Sequence, residues 1–208
     1  MTTERFDVLI SRKGPTKGST GSRITATTAR KLSMNSTPVP SDSSAPSSAA
    51  TTPAEYLAQA VALATDNVRN AGGPFGALIV SADGRVFEGV NRVTANLDPS
   101  AHAEVTAIRN ACQQLGTFDL AGCTLYTSCE PCPMCLATSL WARIDRVYFA
   151  ANRDDAADAG FDDAVFYRYF EGGPEDRAIM PVADIALPAE ERVAPFTEWS
   201  LTTTRIEY

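Results

Sequence analysis

Four residues of this chain have the types and spacing to bind a metal and move a proton: His102, Glu104, Cys132 and Cys135. His102 is the single histidine of 208 residues and stands in Ala101-His102-Ala103-Glu104. Thirty residues on, Pro131-Cys132-Pro133-Met134-Cys135 brings two cysteines three positions apart. One imidazole and two thiolates make three ligands for Zn²⁺, and a catalytic zinc keeps its fourth tetrahedral position for water. Water brought to a pKa near ~7 on the metal is a nucleophile, but the reaction also needs a proton carrier. Glu104 is the candidate, since a carboxylate two residues from a ligand can take the proton and return it to a leaving amine. On a regular helix, residues i and i+2 point apart. His102 and Glu104 therefore share one site only in an irregular first helical turn, for which Asp98-Pro99-Ser100 is a suitable start. Cys132 and Cys135 fall at a second predicted helix start, where the dipole and open N–H groups favour thiolate.

Other chemistries fit parts of this pattern. Cys129 together with Cys132, Cys135 and His102 would make a closed Cys₃His structural site, a zinc module without catalysis. A Cys-x-x-Cys can also be a redox pair, which leaves His102 and Glu104 without a role. Cys112 and Cys123 read as small buried hydrophobes. Free thiols and thiolate ligands point to a reducing, cytoplasmic compartment.

The elements that must hold these residues are legible in outline. Thr52-Pro53-Ala54-Glu55 has the form of a capping box with proline in the first helical turn. Tyr56, Leu57, Ala60, Val61, Leu63, Ala64 and Val68 then recur at helical spacing. A strand is predicted over 75–80, an Asp83-Gly84 turn, and a second strand over 85–93 as a hairpin. A helix over 101–115 ends at Gly116. A strand near 123–127, a helix near 132–142 and a strand over 146–150 follow. The remainder reads as helix 163–170, strand 182–186 and helix 195–199. Strands alternating with helices predict an α/β domain with helices on the faces of the sheet.

Composition divides the chain. Residues 1–52 hold 7 Lys and Arg against 3 Asp and Glu, and 20 Ser and Thr. Such a segment cannot offset the entropy of ordering its backbone, and it is expected to be disordered. Its apolar patch, Phe6 to Ile10, is too short to fold alone. An Arg- and Ser-rich, acid-poor leader has some character of a transit peptide, while Met34 offers a later start just before the body. Residues 53–208, the expected folded domain, hold 11 Arg, no Lys and 22 Asp and Glu, a net of −11. A body this acidic repels phosphate and argues against a nucleic-acid partner. No apolar run approaches the ~20 residues that span a bilayer, so no membrane partner is expected.

Asp98-Pro99-Ser100-Ala101-His102-Ala103-Glu104-Val105-Thr106-Ala107-Ile108-Arg109 and Leu125-Tyr126-Thr127-Ser128-Cys129-Glu130-Pro131-Cys132-Pro133-Met134-Cys135 resemble the cytidine deaminase-like superfamily. Within it, Gly72 to Ala77, Asp155 to Asp163 and the terminal Glu207-Tyr208 resemble the bacterial guanine deaminases. The likeness covers residues 53–208. It implies a three-layer α/β/α fold with a central mixed sheet, Zn²⁺ as cofactor, and a homodimer with an exchanged C-terminal segment. It also implies a hydrolase of guanine catabolism that converts guanine to xanthine and ammonia, with Glu104 as proton shuttle. Cytosine or another amino-heterocycle is the alternative substrate; a tRNA adenosine deaminase would need a positive surface that this body lacks. The implied base contacts are Asn91, Phe75, Ala103, Asp163 and Tyr208. Asn91 offers a donor and an acceptor to a purine edge but also suits a turn. Phe75 suits stacking or the core, and Asp163 suits guanine N–H groups or a helix N-cap. For Ala103 the contact would be its backbone N–H, and Tyr208 would act as a lid at the chain end.

Overall fold

The computed structural model describes residues 51–207. The expectations placed on residues 1–50, including the Phe6–Ile10 patch and the start at Met34, and the lid at Tyr208 lie outside the described residues.

The first helix, α1 (Pro53–Arg69), begins where the capping box predicts. The Glu55 amide donates to the Thr52 hydroxyl, and the Thr52 amide donates to the Glu55 carboxylate. Two donors that a helix start leaves open are thereby satisfied. Strands β1 (Gly76–Val80) and β2 (Val86–Val90) form the expected antiparallel hairpin. Gly84 turns it with a φ of 83°, a conformation that favours glycine. The predicted strand over 85–93 is cut short: the Val93 amide reaches back to Asn91 Oδ1 at 3.4 Å, and the chain turns into α2 (Val93–Asn96). An Asx turn of this kind competes with the strand ladder.

Helix α3 (Ala103–Leu115) closes on Gly116 with φ 71°, as predicted. It is followed by β3 (Thr124–Cys129), α4 (Pro133–Trp141) and β4 (Arg146–Ala151). Next come α5 (Arg153–Asp158), which the sequence reading did not contain, α6 (Ala164–Glu171), a 3-10 turn (Asp176–Ile179) and α7 (Ala189–Leu201). The sheet runs β2-β1-β3-β4, with β1 antiparallel to both neighbours and β3 parallel to β4. It is mixed, with α1 on one face and α3 on the other, the latter touching α4. This is the expected three-layer α/β/α arrangement.

Two C-terminal expectations need correction. Residues 182–186 pair with no strand among the described residues, and Val182 and Ile185 are 81% and 84% exposed. Apolar, β-branched residues supply a strand's side chains, but the backbone also needs an edge to pair with. The helix predicted over 195–199 starts six residues earlier, at Ala189, with Pro195 inside it. Glu190 and Glu191 favour the earlier start, since carboxylates stabilise a first helical turn.

The core has two layers that follow the alternation of β1. Leu78 and Val80 pack with Ala60 and Tyr126 beneath α1, while Ala77 and Ile79 pack with Phe87, Ala107, Ile108 and Leu125 beneath α3. One glycine on each face brings helix and strand together. A Cβ on Gly76 would lie 2.5 Å from Ala60 O, and one on Gly89 would collide with Ala103 O and Ala107 N. The first turn of α3, which carries Glu104, is thus seated directly on β2.

Candidate active site

Two helix starts converge on the site. His102 caps α3 in extended backbone, φ −66° and ψ 159°, and Glu104 is the second helical residue. That extended step removes the opposition between i and i+2, so both side chains line one cavity, as the sequence requires. Cys132 caps α4 in the same manner, φ −65° and ψ 167°, with Pro133 in the first turn. Cys135 follows on that turn and is fully buried.

His102 Nδ1 lies 3.6 Å from Cys132 Sγ and 3.5 Å from Cys135 Sγ. The three ligand atoms all lie within 4.8 Å of one another. Zn–N and Zn–S bonds of tetrahedral zinc put nitrogen and sulfur about 3.5 Å apart. The residues therefore fit the ion without rearrangement. The Cys135 thiol beside Cys132, helped by the His102 ring, holds the Cys132 pKa down to about 4. Cys135, buried and keeping the shared proton, is pushed up.

Cys129 behaves differently. It is buried, its sulfur lies 3.7 Å from Asn152 O, and burial pushes its pKa up to about 11. It is not among the grouped metal-ligating atoms, so the closed Cys₃His alternative lacks its fourth ligand among the described residues. Glu104 is 6% exposed, and burial raises its carboxyl above the ordinary range. A carboxyl so placed holds a proton more readily than one in water.

The cavity of about 520 Å³ gathers His102, Glu104 and Cys132 with Phe75, Asn91 and Asp163. Phe75 packs against the core and also lines the cavity. It meets Phe161 edge-on at 5.1 Å between ring centroids. Asn91 is likewise both turn-forming and cavity-lining, and its Nδ2 has no hydrogen-bond partner among the described residues. Asp163 stands at the N-cap of α6 but makes no capping bond; the Ala164 amide donates to Asp162 instead. Its carboxylate is left to the cavity, and burial raises its pKa. Ala103 does not join the wall: its side chain is fully buried in the core, leaving only its place beside His102 at the helix start.

Several neighbours escaped the sequence reading. Arg153 at the start of α5 makes three hydrogen bonds to Glu130, the residue after Cys129, and its guanidinium lies 4.1 Å over the Tyr167 ring. Tyr167 in turn donates to Pro131 O at 3.0 Å. The loop leading to Cys132 is thus braced from α5 and α6. Polar surface residues of this kind carry no sequence signal until their partners are known. Phe161 and Phe166 also line the cavity.

Residues 50–151 match the family model of the cytidine and deoxycytidylate deaminase zinc-binding region. The guanine deaminase of Bacillus subtilis is 48% identical over 154 residues, 74% of this chain and 97% of that protein. Its solved structure superposes with a TM-score of 0.71 at 47% identity, covering 76% of this chain and 99% of that one. A guanine deaminase from Nitrosomonas europaea is 34% identical, with a TM-score of 0.50 over 53% of this chain and 65% of that one. A structure solved in complex with 2,6-diaminopurine is also 34% identical, with a TM-score of 0.51 over 53% of this chain and 62% of that one.

Proposed function

This chain belongs to the zinc-binding cytidine and deoxycytidylate deaminase family, beside its guanine deaminases, and from that premise we propose that it hydrolyses guanine to xanthine and ammonia. One observation carries the reading: the grouped His102, Cys132 and Cys135 reach, through His102 and Cys132, the same cavity that Glu104 lines. These three residues would hold Zn²⁺, whose Lewis acidity makes water a nucleophile near neutral pH. Glu104 takes the proton from the attacking water as its oxygen bonds to C2 of the base. It then delivers that proton to the amino group as the C2–N bond breaks. Burial suits it to both halves of the exchange, because its raised pKa narrows the gap between accepting and donating. Phe75 and Phe161 flank the ring, Asn91 presents an amide to the base edge, and Asp163 accepts from guanine N–H groups. The amide of Ala103 and the side chain of Tyr208 complete the proposed contacts.

Glu104→Gln tests the assignment. The variant is expected to keep about one zinc per chain while kcat falls by about 10²–10⁴. Near-full activity with zinc in place would overturn it. Ammonia release from guanine, cytosine and adenine in parallel tests the substrate, and guanine is expected to be the one consumed.

We further propose a homodimer in which the C-terminal segment is exchanged. Support comes from what that segment leaves uncovered. Every residue of α7 is exposed, and Tyr148 and Phe149 of the edge strand β4 are exposed as well. Residues 53–208 form the proposed catalytic domain and residues 1–52 an extension of it. All five cysteines are free, which supports a reducing, cytoplasmic setting. Among the described residues no helix is long and apolar enough to cross a membrane.

A further inference from the structure

Asn67 lies in the last turn of α1, on the opposite layer from the metal-ligating helices, and is not among the residues that line the cavity. It is nonetheless 5% exposed, and its side-chain amide nitrogen makes two hydrogen bonds. Nδ2 donates to Gly73 O at 2.8 Å and to Asn91 O at 2.8 Å. Its own backbone carbonyl accepts from the Gly72 amide at 2.8 Å. A buried asparagine in a helix is a poor helix former and a polar group that must be paired, so its place here rests on those two bonds.

Both acceptors belong to residues of the cavity wall. A third link joins them, since the Asn91 amide donates to Phe75 O at 3.1 Å. The Asn91 carboxamide also lies against Gly73, where an added Cβ would come within 2.8 Å of Asn91 Oδ1. One side-chain amide therefore ties the loop that enters β1 to the residue that leaves β2. Between them these segments contribute Phe75 and Asn91 to the cavity wall.

We propose that Asn67 is a positioning residue for base recognition: by holding the Gly73 and Asn91 carbonyls on one amide, it fixes the Asn91 carboxamide relative to Phe75 and so sets the edge that meets the purine. The inference rests on the reading of Asn91 as a base contact. Asn67 touches no substrate and acts through Asn91. An arrangement loosened by as little as an ångström is enough to lose a large factor in rate or affinity.

A double-mutant cycle on the zinc-loaded full chain, with guanine as substrate, tests this. Asn91→Ala and Asn67→Ala are each expected to lower kcat/KM by about tenfold or more, chiefly through KM, with zinc content unchanged. In the Asn91→Ala background, Asn67→Ala is expected to cost little more. If the two losses multiply instead, or if Asn67→Ala lowers the melting temperature without changing KM, Asn67 is a structural residue only and the proposal is overturned. An Asn91→Ala variant with normal KM would instead overturn the reading of Asn91 itself, and that arm is read separately. Asn67→Ser, which keeps one short donor, enters the same cycle should Asn67→Ala not fold.

Discussion

Three cysteines within seven residues have different fates, and backbone position decides which. Cys132 and Cys135 sit at a helix start facing an imidazole; Cys129 ends β3 and turns its sulfur to a carbonyl. The first two belong to the metal site and the third to the packing. Cys129→Ser is accordingly expected to retain about one zinc per chain, at a stability cost of about 1 kcal/mol for an altered buried group. Cys135→Ser is expected to lose the metal and the activity together. Zinc quantified on dialysed protein separates the two, and loss of zinc from Cys129→Ser would revive the closed structural site.

At the scale of elements, the site depends on how closely α3 rests on the sheet. Gly89 permits that contact, because any Cβ there meets the backbone of Ala103 and Ala107. Ala103 follows His102 and precedes Glu104, so lifting the helix displaces both of these cavity-lining residues at once. Gly89→Ala is expected to destabilise the fold by about 1–3 kcal/mol through overpacking. It should also weaken zinc retention against a chelator, which a remote packing defect would not do. Thermal melting and chelator titration of the same sample provide the check. The brace from Arg153 and Tyr167 acts similarly on the other helix start, holding the Glu130-Pro131 stretch before Cys132.

For the whole molecule, the described chain is well packed around its sheet and poorly covered beyond β4. Val182, Ile185 and Leu187 are exposed on an apolar segment that has no strand partner among the described residues. Exchange between two copies would bury these groups and give the segment an edge to pair with. Light scattering at micromolar concentration is expected to report a dimer, and Val182→Asp with Ile185→Asp is expected to shift it toward monomer. A monomeric parent protein would remove the exchange.

The candidate metal-ligating group, the carboxyl beside it, the two helix starts and most of the strands were legible from residue order, because each depends on neighbours within a few positions. A capping box, a Cys-x-x-Cys before a helix and a glycine at a helix end are local chemistry. Even the irregular first turn of α3 followed from local geometry, since His102 and Glu104 can share a site in no regular helix. What the sequence left undecided depended on contacts between distant segments. The exclusion of Cys129, the bridge from Asn67 and the brace from Arg153 each join positions between which the chain carries no signal. The misplaced strand at 182–186 has the same cause: its side-chain pattern is local, whereas the edge it needs is not. Sequence determined which groups are of the types and spacing to do the chemistry; tertiary structure decided which of them face the cavity, because burial and hydrogen-bond pairing are settled only when the layers close.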